Sequence, residues 1–133
     1  MHRRIAIVLL PVLVAGFALG AVSRSAPEAP LAHMVFFTLK ERTKDARDAF
    51  VASCQKYLAG HEGATYFSVG MIAEDAPEPV SVLDFDVALH VVFENKEAKA
   101  RYLKSPRHDS FVAENKEKFA KVRVFDSYLV PSK

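Results

Sequence analysis

The sequence predicts an α+β domain built in the order β-α-β-β-α-β, placed behind an N-terminal segment that is not part of the fold. Three observations predict it. Apolar side chains follow strand spacing in residues 33–40, 64–72, 84–94 and 122–130. They recur at helical spacing between the first and second of these stretches, and again between the third and fourth. Ahead of them all, residues 5–22 run without a single charge.

Residues 1–26 have the order of an export signal: Arg3 and Arg4 make a basic start, an apolar run follows, and Ala21 and Ser23 supply small residues before Arg24. The run is also long enough to sit at the lower limit for crossing a bilayer, so the alternative is an uncleaved membrane anchor. The expected location is exported, periplasmic or secreted, or else membrane-anchored and facing outward, with the membrane touched only through this segment. The whole chain holds 18 Lys and Arg against 16 Asp and Glu. Three of the basic residues, Arg3, Arg4 and Arg24, lie in the leader; subtracting them leaves 15 against 16, a near-neutral domain with no electrostatic case for nucleic acid. Cys54 is the only cysteine, so no intrachain disulfide can form and core packing must hold the domain together.

Residues 27–32, with Pro27 and Pro30, read as an extended linker, and the domain as residues 33–131. The first strand, 33–40, carries apolar residues on both alternating sets, which suits a strand covered on both faces. Thr43 is placed to cap the first helix and Asp45 falls in its first turn. Ala46, Phe50, Cys54 and Tyr57 form its apolar stripe, and Gly60 ends it. After the second strand, 64–72, an acidic loop with Pro77 and Pro79 cannot continue a sheet. The third strand, 84–94, puts Phe85, Val87, Leu89, Val91 and Phe93 on one face and Asp84, Asp86, Ala88, His90 and Val92 on the other. Asn95 caps a short helix through Ala98, Tyr102 and Leu103. Ser105 then reads as a second cap with Pro106 in the first helical position, so the helix restarts, with His108, Phe111, Val112, Asn115 and Phe119 on one stripe. A last strand, 122–130, completes a ferredoxin-like protomer. Its helices can cover only one face of the sheet, while Met34 or Phe36 and Val92 remain on the other. Packing that face against a second copy closes the structure as a homodimer, with a cavity between sheet and helices or between subunits.

Four stretches carry a family resemblance: His33-Met-Val-Phe-Phe-Thr-Leu-Lys40, Phe85-Asp-Val-Ala-Leu-His-Val-Val-Phe-Glu94, Tyr102-Leu-Lys-Ser-Pro-Arg-His108 and Val124-Phe-Asp-Ser-Tyr128. Together they resemble the stress-responsive A/B barrel (Dabb) family, which implies a ferredoxin-like protomer paired into a dimeric α/β barrel. Within that family, plant olivetolic acid cyclase is similar in carrying a catalytic tyrosine and histidine in the third stretch. The matching positions are Tyr102 and His108; Ser105 stands where the cyclase has a histidine.

Tyr102 and His108 are thus the candidate catalytic pair, and His33, His90 and Phe111 the candidate ligand-binding residues. Burial and the positive end of a helix both disfavour imidazolium, so His108 is expected to be neutral and able to accept a proton, with the Tyr102 hydroxyl as donor. The plain alternative is a packed core histidine and phenol at a helix break. The leading reading is a non-enzymatic homodimer that binds a small apolar or phenolic molecule. The alternatives are a cofactor-free lyase, cyclase or isomerase using Tyr102 and His108, and then a cofactor-independent monooxygenase. No cofactor or metal is expected: the histidines lack close ligand spacing, and the chain has neither a Gly-rich phosphate loop nor a Gly-x-Ser-x-Gly elbow.

Overall fold

A four-stranded antiparallel sheet carries three helices on one face in the computed structural model, which describes residues 28–130. The expected export segment, residues 1–26, lies outside the described residues. The elements are β1 (Leu31–Leu39), α1 (Lys44–Leu58), β2 (Ala64–Met71), β3 (Val87–Phe93), α2 (Lys96–Leu103), α3 (Pro106–Asn115) and β4 (Phe119–Tyr128), with a single 3-10 turn, Lys116–Lys118, before the last strand. The sheet order is β2-β3-β1-β4, the ferredoxin-like arrangement.

The three predicted helix caps form as their chemistry requires. The side chains of Thr43, Asn95 and Ser105 accept from the amides of Ala46 (3.2 Å), Ala98 (2.8 Å) and His108 (3.2 Å), each satisfying a donor that the first turn leaves unpaired. Gly60 follows α1 at φ 68°, a backbone angle that side chains with a Cβ adopt only at a cost. Helix burial then follows the apolar stripes. Phe50, Cys54 and Leu58 of α1 pack on Val35 and Phe37 of β1 and on Leu89, Val91 and Phe93 of β3. At the centre the Phe50 ring lies 4.9 Å from Phe37, 5.7 Å from Phe111 and 5.6 Å from Phe119. Phe119 reaches that cluster as the first residue of β4; the predicted position on the helical stripe is corrected, because α3 ends at Asn115.

The third strand also departs from its predicted pattern. Val87, Leu89, Val91 and Phe93 are buried as expected, but the alternation slips just before them. Phe85 turns to the opposite face, its ring 5.0 Å from Phe36, and Asp86 is the residue that goes fully inside. Its carboxylate accepts from the Leu39 amide (2.9 Å), from Arg42 Nε (3.0 and 3.1 Å) and from Arg47 Nε (2.9 Å). A carboxylate ringed by two guanidiniums and an amide is satisfied where an isolated one would not be. The group thereby ties the end of β1, the start of α1 and the entry to β3 at one point.

The sheet face away from the helices carries Met34 and Phe36 of β1, His90 of β3 and Phe125 of β4. Phe36 stands edge-on to Phe85 and, at 5.7 Å, to Phe125. Phe125 is 55% exposed within the protomer.

Candidate functional site

The break between α2 and α3 shapes the site. Ser105 cannot continue α2, because Pro106 disfavours helical backbone in the residue before it. The chain turns, Ser105 caps α3, and His108 enters in the first turn of the new helix facing Tyr102 on the last turn of the old one. The two rings lie 5.0 Å apart, edge to face. His33 enters from β1, its ring 6.2 Å from Tyr102. Between these groups and the sheet lies a cavity of about 230 Å³, whose lining includes His33, Tyr102, His108 and Phe111. The remaining walls are aliphatic and aromatic, and Leu103, Val112, Val122 and Val124 form its more exposed rim.

Four of the five predicted site residues therefore meet. His90 does not, and its assignment to the cavity with His33 is corrected here. In the β1–β3 register His33 pairs with Val91 while His90 pairs with Met34. Strand side chains alternate between faces, so the two histidines point to opposite sides of the sheet. His90 shares the open face with Phe36 and lies 3.1 Å from the Ser68 hydroxyl.

Two further groups belong to the site. Asp126 of β4 accepts from His33 Nδ1 at 2.7 Å and also from the Lys99 ammonium of α2. Its signal was available in the strand pattern: Asp126 shares the parity of Val122 and Val124, and an acid on a core-facing position calls for a partner. His61, in the loop after α1, places its ring 4.8 Å from Tyr102 and donates from Nε2 to the Tyr57 carbonyl at 2.9 Å. No periodicity marks a loop histidine, so its position is visible only in three dimensions.

Burial dominates the electrostatics. It pushes the Tyr102 phenol well above its ordinary value, so the hydroxyl stays protonated and can donate. His108 is lowered chiefly by burial, against the pull of Asp109, and His33 and His61 lower it further. Burial also lowers His33 in spite of Asp126, which favours the charged ring. For Asp126, burial alone would raise the carboxyl, but the hydrogen bonds from Lys99 and His33 outweigh it and the net shift is downward. The Cys54 thiol, buried under α1, is pushed up to about 12 and is no nucleophile. Among the described residues no three His, Cys, Asp or Glu side chains converge to hold a metal ion.

The lowered histidines make stability depend on pH. Each binds a proton more readily in the unfolded chain, near its ordinary value of 6.5, than in the folded one. Stability should therefore be full above that value and fall as the pH drops below it toward the folded values. Urea denaturation at pH 7.5 and at 5.5 should show a lower midpoint at 5.5, with a smaller difference in His108→Phe. Equal midpoints would show that the rings are not held neutral.

Sequence and structural comparisons agree with this architecture. The profile of the Dabb family, the stress responsive A/B barrel domain, matches residues 31–129. The chain belongs to that family. No curated protein matches the chain. Among solved structures, a Dabb-family protein with a ferredoxin-like fold from Mesorhizobium loti superposes with a TM-score of 0.65 at 23% identity, covering 78% of this chain and 100% of its own. A dimeric ferredoxin-like protein from Thermobifida fusca gives 0.64 at 14% identity, covering 80% of this chain and 97% of its own. The hydroxynitrile lyase of Passiflora edulis gives 0.63 at 16% identity, covering 81% and 99%. At these identities the likeness is one of fold. The Dabb match also begins where β1 does, at Leu31, two residues ahead of the strand start read from the sequence.

Proposed function

We propose that this Dabb protein is an exported homodimer whose helix-side cavity binds a small, neutral, largely apolar molecule bearing a carbonyl or phenol. The cavity itself carries the reading. Its walls are apolar, and its polar groups, His33, Tyr102 and His108, are held toward their neutral forms by burial, so a charged ligand would find no counter-charge on the lining. Export follows from the charge-free run behind Arg3 and Arg4. Dimerisation follows from the exposed aromatic face around Phe125, and the Thermobifida fusca relative is described as dimeric.

The test uses 4-propylphenol as probe, with binding followed by calorimetry and by ligand NMR. The wild type should bind it, and Tyr102→Phe should weaken binding roughly two- to tenfold, the effect of one hydrogen bond. Phe111→Trp, which fills the cavity, should abolish it. Undiminished binding in Phe111→Trp would place the ligand elsewhere.

A second reading is a cofactor-free lyase, cyclase or isomerase. The observation favouring it is a protonated phenol set beside neutral imidazoles, a donor and acceptors at one end of an apolar pocket.

A further inference from the structure

Three side chains from three elements stand in line behind Tyr102. Lys99 of α2 donates to Oδ2 of Asp126 on β4, and Oδ1 of the same carboxylate accepts from Nδ1 of His33 on β1 at 2.7 Å. A carboxylate only accepts, so the His33 hydrogen sits on Nδ1 and Nε2 holds the lone pair, in a ring that lines the cavity. The line runs from the partly open end, where the Asp126 side chain is 37% exposed, to His33 at 7%. His108 has no such support: its backbone amide is capped by Ser105, but no hydrogen bond among the described residues orients its ring.

We propose that His33, and not His108, is the proton acceptor of the cavity, with Asp126 setting its tautomer and Lys99 acting as the positioning residue that holds Asp126 ionised and aimed. The ligand class is a neutral ketone with hydrogen on the carbon beside its carbonyl. That C–H bond breaks, its electron pair becomes the second bond of a carbon–carbon double bond, and the carbonyl oxygen becomes an enolate oxygen that accepts from the Tyr102 hydroxyl. The proton rests on His33 Nε2, and the Asp126 carboxylate balances the imidazolium. Return of that proton, or of a deuteron from solvent, restores the ketone, so no oxidant, reductant or cofactor is consumed.

The charged and titratable groups facing His33 are Asp126 from β4, Lys99 and Tyr102 from α2, and His108 from α3. Of these, the Lys99 cation opposes protonation of His33, which gives the positioning role a signature of its own. Taking that cation away should raise the proton affinity of His33 and move the acid limb of any reaction it drives to higher pH.

The inference rests on the cavity being a ligand site, and one experiment separates the two. Full-length protein is placed in D2O with acetophenone, exchange of the methyl protons is followed by NMR across pH, and saturation transfer reports binding in the same samples. Wild type should exchange them faster than an equal concentration of free imidazole. His33→Gln should lose that acceleration by about a hundredfold, the usual scale of a general base. Asp126→Asn should lose most of it while still binding acetophenone, and its altered His33 tautomer should show in ¹⁵N spectra. Lys99→Met should keep exchanging, with its acid limb shifted upward in pH. Exchange that survives His33→Gln but vanishes in His108→Gln, or an unmoved limb in Lys99→Met, overturns the proposal. Binding without accelerated exchange overturns it too and leaves the ligand site standing. No binding of acetophenone or 4-propylphenol removes both.

Discussion

Asp86→Ala is expected to cost about 3–5 kcal/mol, the scale of removing one partner from a buried ion pair. The Asp86 side chain is fully buried, and its removal leaves the Leu39 amide without its acceptor and the Arg47 guanidinium, 18% exposed, with only the more exposed Glu74 carboxylate as partner. A domain of this size has about 5–15 kcal/mol of stability in all, so a large share of the margin disappears. Urea denaturation followed by circular dichroism should show the loss directly. Asp86→Asn separates shape from charge: it retains an acceptor for Leu39 but not the charge for Arg42 and Arg47, and should fall between alanine and wild type. The pH dependence has the same sign as that of the histidines but lies in a more acidic window. Burial alone would raise the Asp86 carboxyl, but the Leu39 amide and the two arginines hold it below its ordinary value of 3.8. Its contribution is therefore present above that value and lost as pH falls through the folded one, so the acid limb of stability should flatten in Asp86→Asn. Wild-type stability in the alanine variant would show that the cluster is a surface arrangement without energetic weight.

Asp86 also marks where sequence reading stops. Helix starts were legible because a cap is a local event: Thr43, Asn95 and Ser105 each reach an amide three residues on, and no distant part of the chain is needed. The Tyr102 and His108 meeting was legible for the same reason, since Pro106 fixes the break that brings them together. What alternation could not supply was absolute parity. The slip before Val87 put an acid where Phe85 was expected, and only the distant Arg42 and Arg47 make that arrangement stable. His33 and His90 posed the same question of parity across two strands. The register Met34 to His90, which separates them, is set by pairing between chain segments far apart in sequence. His61 came to the site from a loop that no periodicity marks, whereas the core-facing parity of Asp126 was legible and only its partner was not, His33 lying opposite it in the β1–β4 ladder.

Phe125→Asp is expected to convert the proposed dimer to a monomer while leaving the protomer folded. Phe125 is 55% exposed in the protomer, so a carboxylate there stays hydrated when the chain is alone. A two-fold interface would bring both copies of that carboxylate to the same apolar face, because the patch meets its own image. Arg123, its neighbour on that face, is paired with Asp84. Burying unpaired charge at this scale should weaken association by about 3–5 kcal/mol, or two to four powers of ten in Kd. Light scattering coupled to size exclusion at micromolar concentration should then report a monomer, with unchanged circular dichroism. A persistent dimer would mean that the copies meet through another surface. The same variant tests how independent the two faces of the sheet are. The lining residues His33, Tyr102, His108 and Phe111 lie on the helix side, so 4-propylphenol should bind the monomer nearly as well as the dimer. A cavity that emptied when the partner left would instead require the open face to hold β4, whose Val122 and Val124 form the rim, in place from behind.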